Sequence, residues 1–413
     1  MSKKRSSKLK NILISVFSLI IGFVFGFIGD IFLSLPDSYI IPETVQGSTY
    51  DPSTNVTEGS IDAEVIKSND ISFHFIELGN KYTGDCIYIK CGNTDILVDG
   101  GSRASSVPFI YNYVDSFMTD DCLDYVIVTH AHQDHYAGYA TYDGTESLFD
   151  HYRTNGKSTG IIIDFQQTNQ KSTSTTYNNY KRERNEAIAA GAKRFGALDC
   201  FNNDNDNEDK ILNEKEANRF YKIGEDETGT DILLQILYTR FYEDLAPSEN
   251  DYSVCFQIIQ GQYKYLFTGD LEAEGEESLV ECTENNLSKV VLYKAGHHGS
   301  KTSSSEELLE VIQPMNVVVC CCAGSSEYTS KEENQFPTQP FIDRVSLYTD
   351  RIYVTTLCLD YKLNQFESFN GNIVICSKGL NNIQVYASNN TTKLKDTQWF
   401  KDNRTLPDNA VSS

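Results

Sequence analysis

The run LDYVIVTHAHQDHYAG, Leu123 to Gly138, constrains this chain more than any other stretch. A β-rich apolar segment ends in His130, His132, Asp134 and His135, in a chain that has only 7 histidines. Residues two apart on an extended segment share a face, so His130 and His132 can present their imidazoles to one point. Asp134 and His135 follow where the chain turns, adding a carboxylate and a third imidazole. Imidazole and carboxylate together suit zinc, iron or manganese. A polar strand end with surface histidines is the plain alternative, but so many ligand types in so short a run argue against it. The fold must therefore bring a strand end to a place where a metal ion can sit.

Strand and helix signals surround this run. ISFHFIELG alternates, DCIYIKCGNTDILVDGG reads as a hairpin turning at Gly92-Asn93, and SSVPFIYNYVDSFM has helical spacing. His74, inside the alternating run, reads as an ordinary strand histidine. TTYNNYKRERNEAIAAGAKRF predicts a helix ended near Gly191. Further strands are expected in DILLQILYTRFY, YSVCFQIIQGQYKYLFTGD, KVVLYKAGHHGS, NVVVCCCAG, RIYVTTL and GNIVICSKG. SSSEELLEVIQP predicts a helix with Ser303 and Glu306 as a capping box and Pro314 as its stop. This order specifies an α/β chain built from layers of sheet and helix. The acidic stretch CFNNDNDNEDKILNEKE superficially resembles a calcium loop, but Asp209 stands where that turn needs Gly, so a solvated loop is expected.

The N-terminus places five basic residues before Ile12–Gly29, which is free of charge and about long enough to cross a bilayer. Basic residues on that side predict a single-pass anchor with the body outside the cell membrane. Secretion after signal cleavage is the rival, though no small-x-small site follows. Four segments are expected: a basic tail and transmembrane anchor (1–35), a flexible Ser/Thr/Pro-rich linker (36–69), a globular domain (70–395) and a C-terminal tail (396–413). The chain carries a net charge of -23, and without its first 35 residues it has 30 basic against 57 acidic side chains. Such a body repels phosphate backbones, which disfavours nucleic acid as a partner. The 11 cysteines are odd in number and irregularly spaced, so mostly free thiols are expected. Cys320 to Cys322 look like small buried side chains on a strand.

THAHQDHYAG resembles the HxHxDH signature of the metallo-β-lactamase superfamily. In order, IELGNKYTGDCIYIKCGNTDILVDGG is similar to its opening strands and Asp-Gly-Gly loop, and YKYLFTGDLE to the strand that delivers a bridging aspartate. LYKAGHHGS resembles the HHGS segment of the ComEC-type branch. NQFPTQP falls where that branch has a final Gly-His-Pro. The resemblance spans roughly residues 70 to 380 and implies a four-layer αβ/βα sandwich. It implies that His130 and His132 hold a first metal, Asp134 and His135 a second, and that Asp270 bridges the two. Asp99 is implied to organise the His-bearing loop. His297 and His298 are expected to supply a ligand or a donor to a developing oxyanion.

Two positions depart from the family pattern. Phe336 stands where the last histidine ligand belongs, and a phenyl ring binds no metal. The separate third histidine has one candidate, His151, only 16 residues after His135. The second metal is thus expected to lack a ligand, replaced by water, by His297 or by nothing. With one or two divalent ions, Zn2+ foremost and Mn2+ as the alternative, the expected chemistry is hydrolysis by metal-bound hydroxide, with Asp134 orienting or shuttling the proton. Glu272, two residues after Asp270, is similar to an acidic residue near the metals of surface phosphorylcholine esterases; a solvated helix-start residue is the alternative. The reading is a surface-tethered phosphodiesterase acting on a small or cell-envelope phosphoester. A ComEC-like DNA nuclease and a non-catalytic binding domain of the same fold are the rivals.

Overall fold

The computed structural model describes residues 56–142, 144–203, 216–378 and 382–411. The expected anchor and the acidic loop at 204–215 lie outside these residues. Among the described residues no helix is long and apolar enough to cross a membrane.

Two sheets form the body. One runs in the order β1 (Val56–Ser60), β17 (Ile383–Ala387), β16 (Ile373–Ser377), β2 (Ile71–Phe75), β3 (Ile87–Cys91), β4 (Thr94–Val98), β5 (Cys122–Val128), β6 (Ser158–Asp164) and β7 (Lys193–Gly196). The other runs β15 (Gln365–Glu367), β14 (Ile352–Asp360), β13 (Asn316–Ala323), β12 (Leu292–Lys294), β11 (Tyr263–Phe267), β10 (Phe256–Gln260), β9 (Asp231–Ile236) and β8 (Phe220–Glu225). The hairpin forms where the sequence placed it: Cys91 pairs with Thr94, and Gly92 takes φ 57° in the turn between them. Strands β4 to β7 and β11 to β14 pair in parallel, so their C-terminal ends lie along one rim of each sheet.

Alternation along the strands sets the layers. Phe73 and Phe75 of β2 face β11, with Phe73 4.4 Å from Tyr265 and Phe75 6.4 Å from Phe267 between ring centroids. His74 points the other way, to Phe117 at 4.6 Å on the helix Val107–Phe117, and is hydrogen-bonded by Ser72 and Tyr113. It is the ordinary strand histidine the sequence suggested. In β13, Val318 and Cys320 join the core between the sheets, while Val317, Val319 and Cys321 pack with the helices Glu306–Ile312 and Gln339–Val345. The order is helix, sheet, sheet, helix. Each large side chain buried in these layers contributes about 1.5–3 kcal/mol. All 11 cysteines are free thiols.

Three expected boundaries shift. Within the supposed linker, Val56–Ser60 pairs in parallel with β17, and Asp62 caps the helix Ala63–Lys67. VTEGS reads as a spacer because an edge strand is recruited by its main-chain groups and tolerates polar side chains. The supposed C-terminal tail contains the helix Gln398–Asn403, which buries Phe400, and the buried Arg404 donates to the Pro337 and Gln335 carbonyls. The helix Glu306–Ile312 is capped by Ser305, not Ser303. Glu276 accepts from the Ser304 and Ser305 amides at 2.7 Å each, and Ser303 donates to the Leu271 carbonyl, which delays the helix start.

Candidate metal centre

The rim of the first sheet carries the histidine-rich loop. Beyond β4, Asp99 sits in the left-handed region at φ 56° and is fully buried. Its carboxylate accepts from the Thr129 amide and hydroxyl, each at 2.8 Å, and lies 2.7 Å from His135 Nδ1. A proton held at Nδ1 leaves the Nε2 lone pair facing inward, the arrangement in which an outer carboxylate orients a metal-binding imidazole. The loop is tightly seated: a side chain at Gly138 would meet the Gly100 carbonyl oxygen at 2.1 Å. Between the first two histidines, the Ala131 amide donates to Glu249. His130 Nε2 and His132 Nδ1 come within 3.0 Å, so two imidazoles do present to one point.

The second sheet supplies the remaining groups. Asp270 follows β11, and its Oδ2 lies 3.1 Å from His135 Nε2 and 3.2 Å from His298 Nε2. His297 and His298 take φ 45° and 53°, a sharp turn that sends the two rings apart. His298 enters the cluster. Its Nδ1 donates to the Cys320 carbonyl at 2.9 Å, and its Nε2 faces Asp134 Oδ2 at 3.4 Å. That buried Nε2 makes no hydrogen bond of acceptable geometry. Donor atoms of Asp134, His135, Asp270 and His298 all lie within 4.8 Å of one another. A tetrahedral zinc with ligands at about 2.0–2.2 Å sets its donors about 3.4 Å apart, so the chemistry and spacing of this set fit a divalent ion.

Electrostatics point the same way. Burial pushes the Asp270 carboxyl up, but His135, His298 and Lys294 outweigh it and hold it well below the usual carboxylate range. Burial also disfavours charge on His135 and His298, yet Asp270, with Asp99 beside one and Asp85 beside the other, raises both imidazoles well above their ordinary value. The carboxylates around these rings thus favour positive charge at the centre of the cluster. His130, by contrast, is held well below the usual imidazole range by burial and by neighbouring His135.

Phe336 brings no donor, but His298 joins Asp134, His135 and Asp270 in one group of potential ligands. Phe336 instead packs against the pair, 5.9 Å from His298 and 5.5 Å from His297 between centroids. His297 remains at the mouth, its Nδ1 3.4 Å from Glu272 Oε1 and 3.3 Å from Thr302 Oγ1. Glu272 is the residue that starts the helix Ala273–Glu281, and it also accepts from Asn250 and Thr302 at the rim. The structure does not bring His151 to the cluster. Its ring stacks on Tyr111 at 3.7 Å, between Asp115 and Glu146.

Three residues escaped the sequence reading. Asp85 lies 3.2 Å from His298 Nδ1 and contacts Lys294; Lys294 reaches Asp270 Oδ1 at 3.2 Å; and Tyr328 donates to Asp134 Oδ2 at 2.7 Å. Lys294 was the findable one, since a lysine closing an apolar strand demands a buried partner.

No protein-family model matches the chain. Over 79 residues it is 43% identical to Competence protein ComA of Neisseria gonorrhoeae, covering 18% of this chain and 11% of that protein. It is 39% identical over 67 residues to ComE operon protein 3 of Bacillus subtilis, covering 16% and 8%. The likeness is of the ComEC type. The chain spans no more than 11% of the length of these ComEC-type relatives. Among solved structures, the metallo-β-lactamase fold protein YhfI of Bacillus subtilis aligns at TM-score 0.31 and 13% identity, over 55% of this chain and 70% of that one. A diphosphatase of the PhnP family aligns at TM-score 0.31 and 11% identity, over 60% and 85%.

Proposed function

We propose that this chain is a membrane-tethered, metal-dependent phosphodiesterase, and the four-donor set of Asp134, His135, Asp270 and His298 carries the reading. These four residues would hold one divalent ion, Zn2+ foremost; His130 and His132 would hold another with a share of Asp270. When bound, such an ion lowers the pKa of its water to about 7 and polarises a phosphoryl oxygen. Asp99 and the Cys320 carbonyl keep the His135 and His298 rings turned toward the ion. Tyr328 donates to the Asp134 carboxylate and steadies it. His297, braced by Glu272, Asn250 and Thr302, is positioned to pass a proton to the departing oxygen.

A small or cell-envelope phosphoester fits the acidic body better than a long nucleic acid. The likeness to competence proteins favours a second reading, a nuclease. Both are tested by incubating the full chain with Zn2+ or Mn2+ and either bis-p-nitrophenyl phosphate or single-stranded DNA. Turnover of the small diester without DNA cleavage is expected. Robust DNA cleavage would favour the nuclease, and inactivity on both with ions bound would favour a binding domain.

A further inference from the structure

Lys294 closes β12 and is only 1% exposed, an unusual place for an ammonium group. Its Nζ lies against Asp85 Oδ2, 3.2 Å from Asp270 Oδ1 and 2.9 Å from the Gly269 carbonyl. Asp270 is therefore divided: Oδ1 belongs to the lysine, while Oδ2 faces His135 and His298. His135 lies 4.2 Å from His130 between ring centroids, but its Nε2 faces Asp270 Oδ2 within the four-donor set, and His151 stacks elsewhere; among the described residues His130 and His132 therefore share no third imidazole of their own. The second position has four protein donors of its own; the first has two and part of one oxygen.

Resting on the metal-dependent reading above, we propose that Lys294 is a positioning residue that limits Asp270 to one metal-facing oxygen and makes the two ion positions unequal. One ion binds tightly at Asp134, His135, Asp270 and His298, and a second binds weakly at His130 and His132. The local charge supports this. Asp85, Asp99, Asp134 and Asp270 set four carboxylates against one ammonium, all around the cluster. The ammonium offsets one of these carboxylates, and each ion that binds lowers the negative charge left to attract the next. Without the ammonium, the second ion would meet one more unit of uncompensated negative charge and would gain the freed Oδ1. Asp85, which contacts Lys294 and His298 Nδ1, serves to keep the lysine in place.

The test is equilibrium dialysis of the full chain, stripped by a chelator, against buffered free Zn2+, with bound zinc counted by mass spectrometry. The native chain should retain one equivalent and acquire a second only at about 100-fold higher free zinc or more, the spread expected for a poorer ligand set. Lys294→Met should tighten the second site by about tenfold or more through the lost repulsion, and Lys294→Arg should restore the native gap. Asp85→Asn should widen the gap, because it removes a negative charge and leaves the lysine to Asp270 alone. A purely structural lysine would not move the two variants in opposite directions. Two equal equivalents in the native chain, or a gap unchanged in Lys294→Met, would overturn the proposal. If Lys294→Met does not fold, Asp85→Asn decides, and a narrowed or unchanged gap overturns it. Binding of no zinc at all would instead remove the hydrolase reading on which it rests.

Discussion

The two sheets reach the centre by different routes. From the first, Asp99 and the His130–His135 loop come off two neighbouring strands, and the loop carries four of its groups within six residues. From the second, Asp270, Lys294 and His298 and the Cys320 carbonyl come from three separate strands, assembled only when β11, β12 and β13 pair in parallel. The first half is local in sequence and organised by side chains: Asp99 grips Thr129 and His135. The second is non-local and organised by main chain, since a carbonyl turns His298 and a left-handed pair of residues aims it. A motif can be moved as a unit; a site assembled across strands stands or falls with the register of the sheet.

The largest effect should come from cutting the non-local half. His298→Ala removes one of four donors from the complete position and should lower both retained metal and diester turnover on the order of 10^3-fold, several kcal/mol of lost ion chemistry. His132→Ala should leave the tightly held equivalent in place. Metal content after dialysis separates the two, and equal loss in both variants would break the comparison.

A smaller effect sharpens the contrast between side-chain and main-chain orientation. Asp99→Asn keeps a residue tolerant of positive φ but withdraws the carboxylate from His135, and should weaken metal binding about 10–100-fold. The matching change in the other half, Cys320→Ala, leaves its carbonyl in place. It should shift metal affinity less than about twofold, because the orienting group is backbone. A comparable loss in both, read by zinc titration, would mean that the imidazoles are not oriented in the way described.

The same contrast explains what was legible in the sequence. His130, His132, Asp134 and His135 announced themselves through spacing alone, and the hairpin at Gly92 and the layered strands through period and turn chemistry. Asp270 was readable as a carboxylate at the end of an apolar strand. The choice between His297 and His298 was not, because it depends on two left-handed residues whose conformation no residue type there requires. Asp85 was silent as well: its importance comes from Lys294, a partner far along the chain. The edge strand Val56–Ser60 was missed because its place is secured by backbone pairing with β17, which leaves no trace in side-chain pattern.

Phe336 tests the smallest difference, and the most diagnostic one. By resemblance it stands where the second metal lost its final ligand; on the reading proposed above His298 fills that position, and the phenyl ring lies against it. Phe336→His then offers a donor to a position with no vacancy. Metal affinity and turnover should change by less than about threefold, and partial loss of ring packing should cost about 1 kcal/mol of stability in thermal unfolding. A gain of tenfold or more in zinc affinity would mean that the position was short of a ligand after all. His298 would then be an ordinary buried imidazole held by Cys320, and the non-local half of the centre would contribute Asp270 alone.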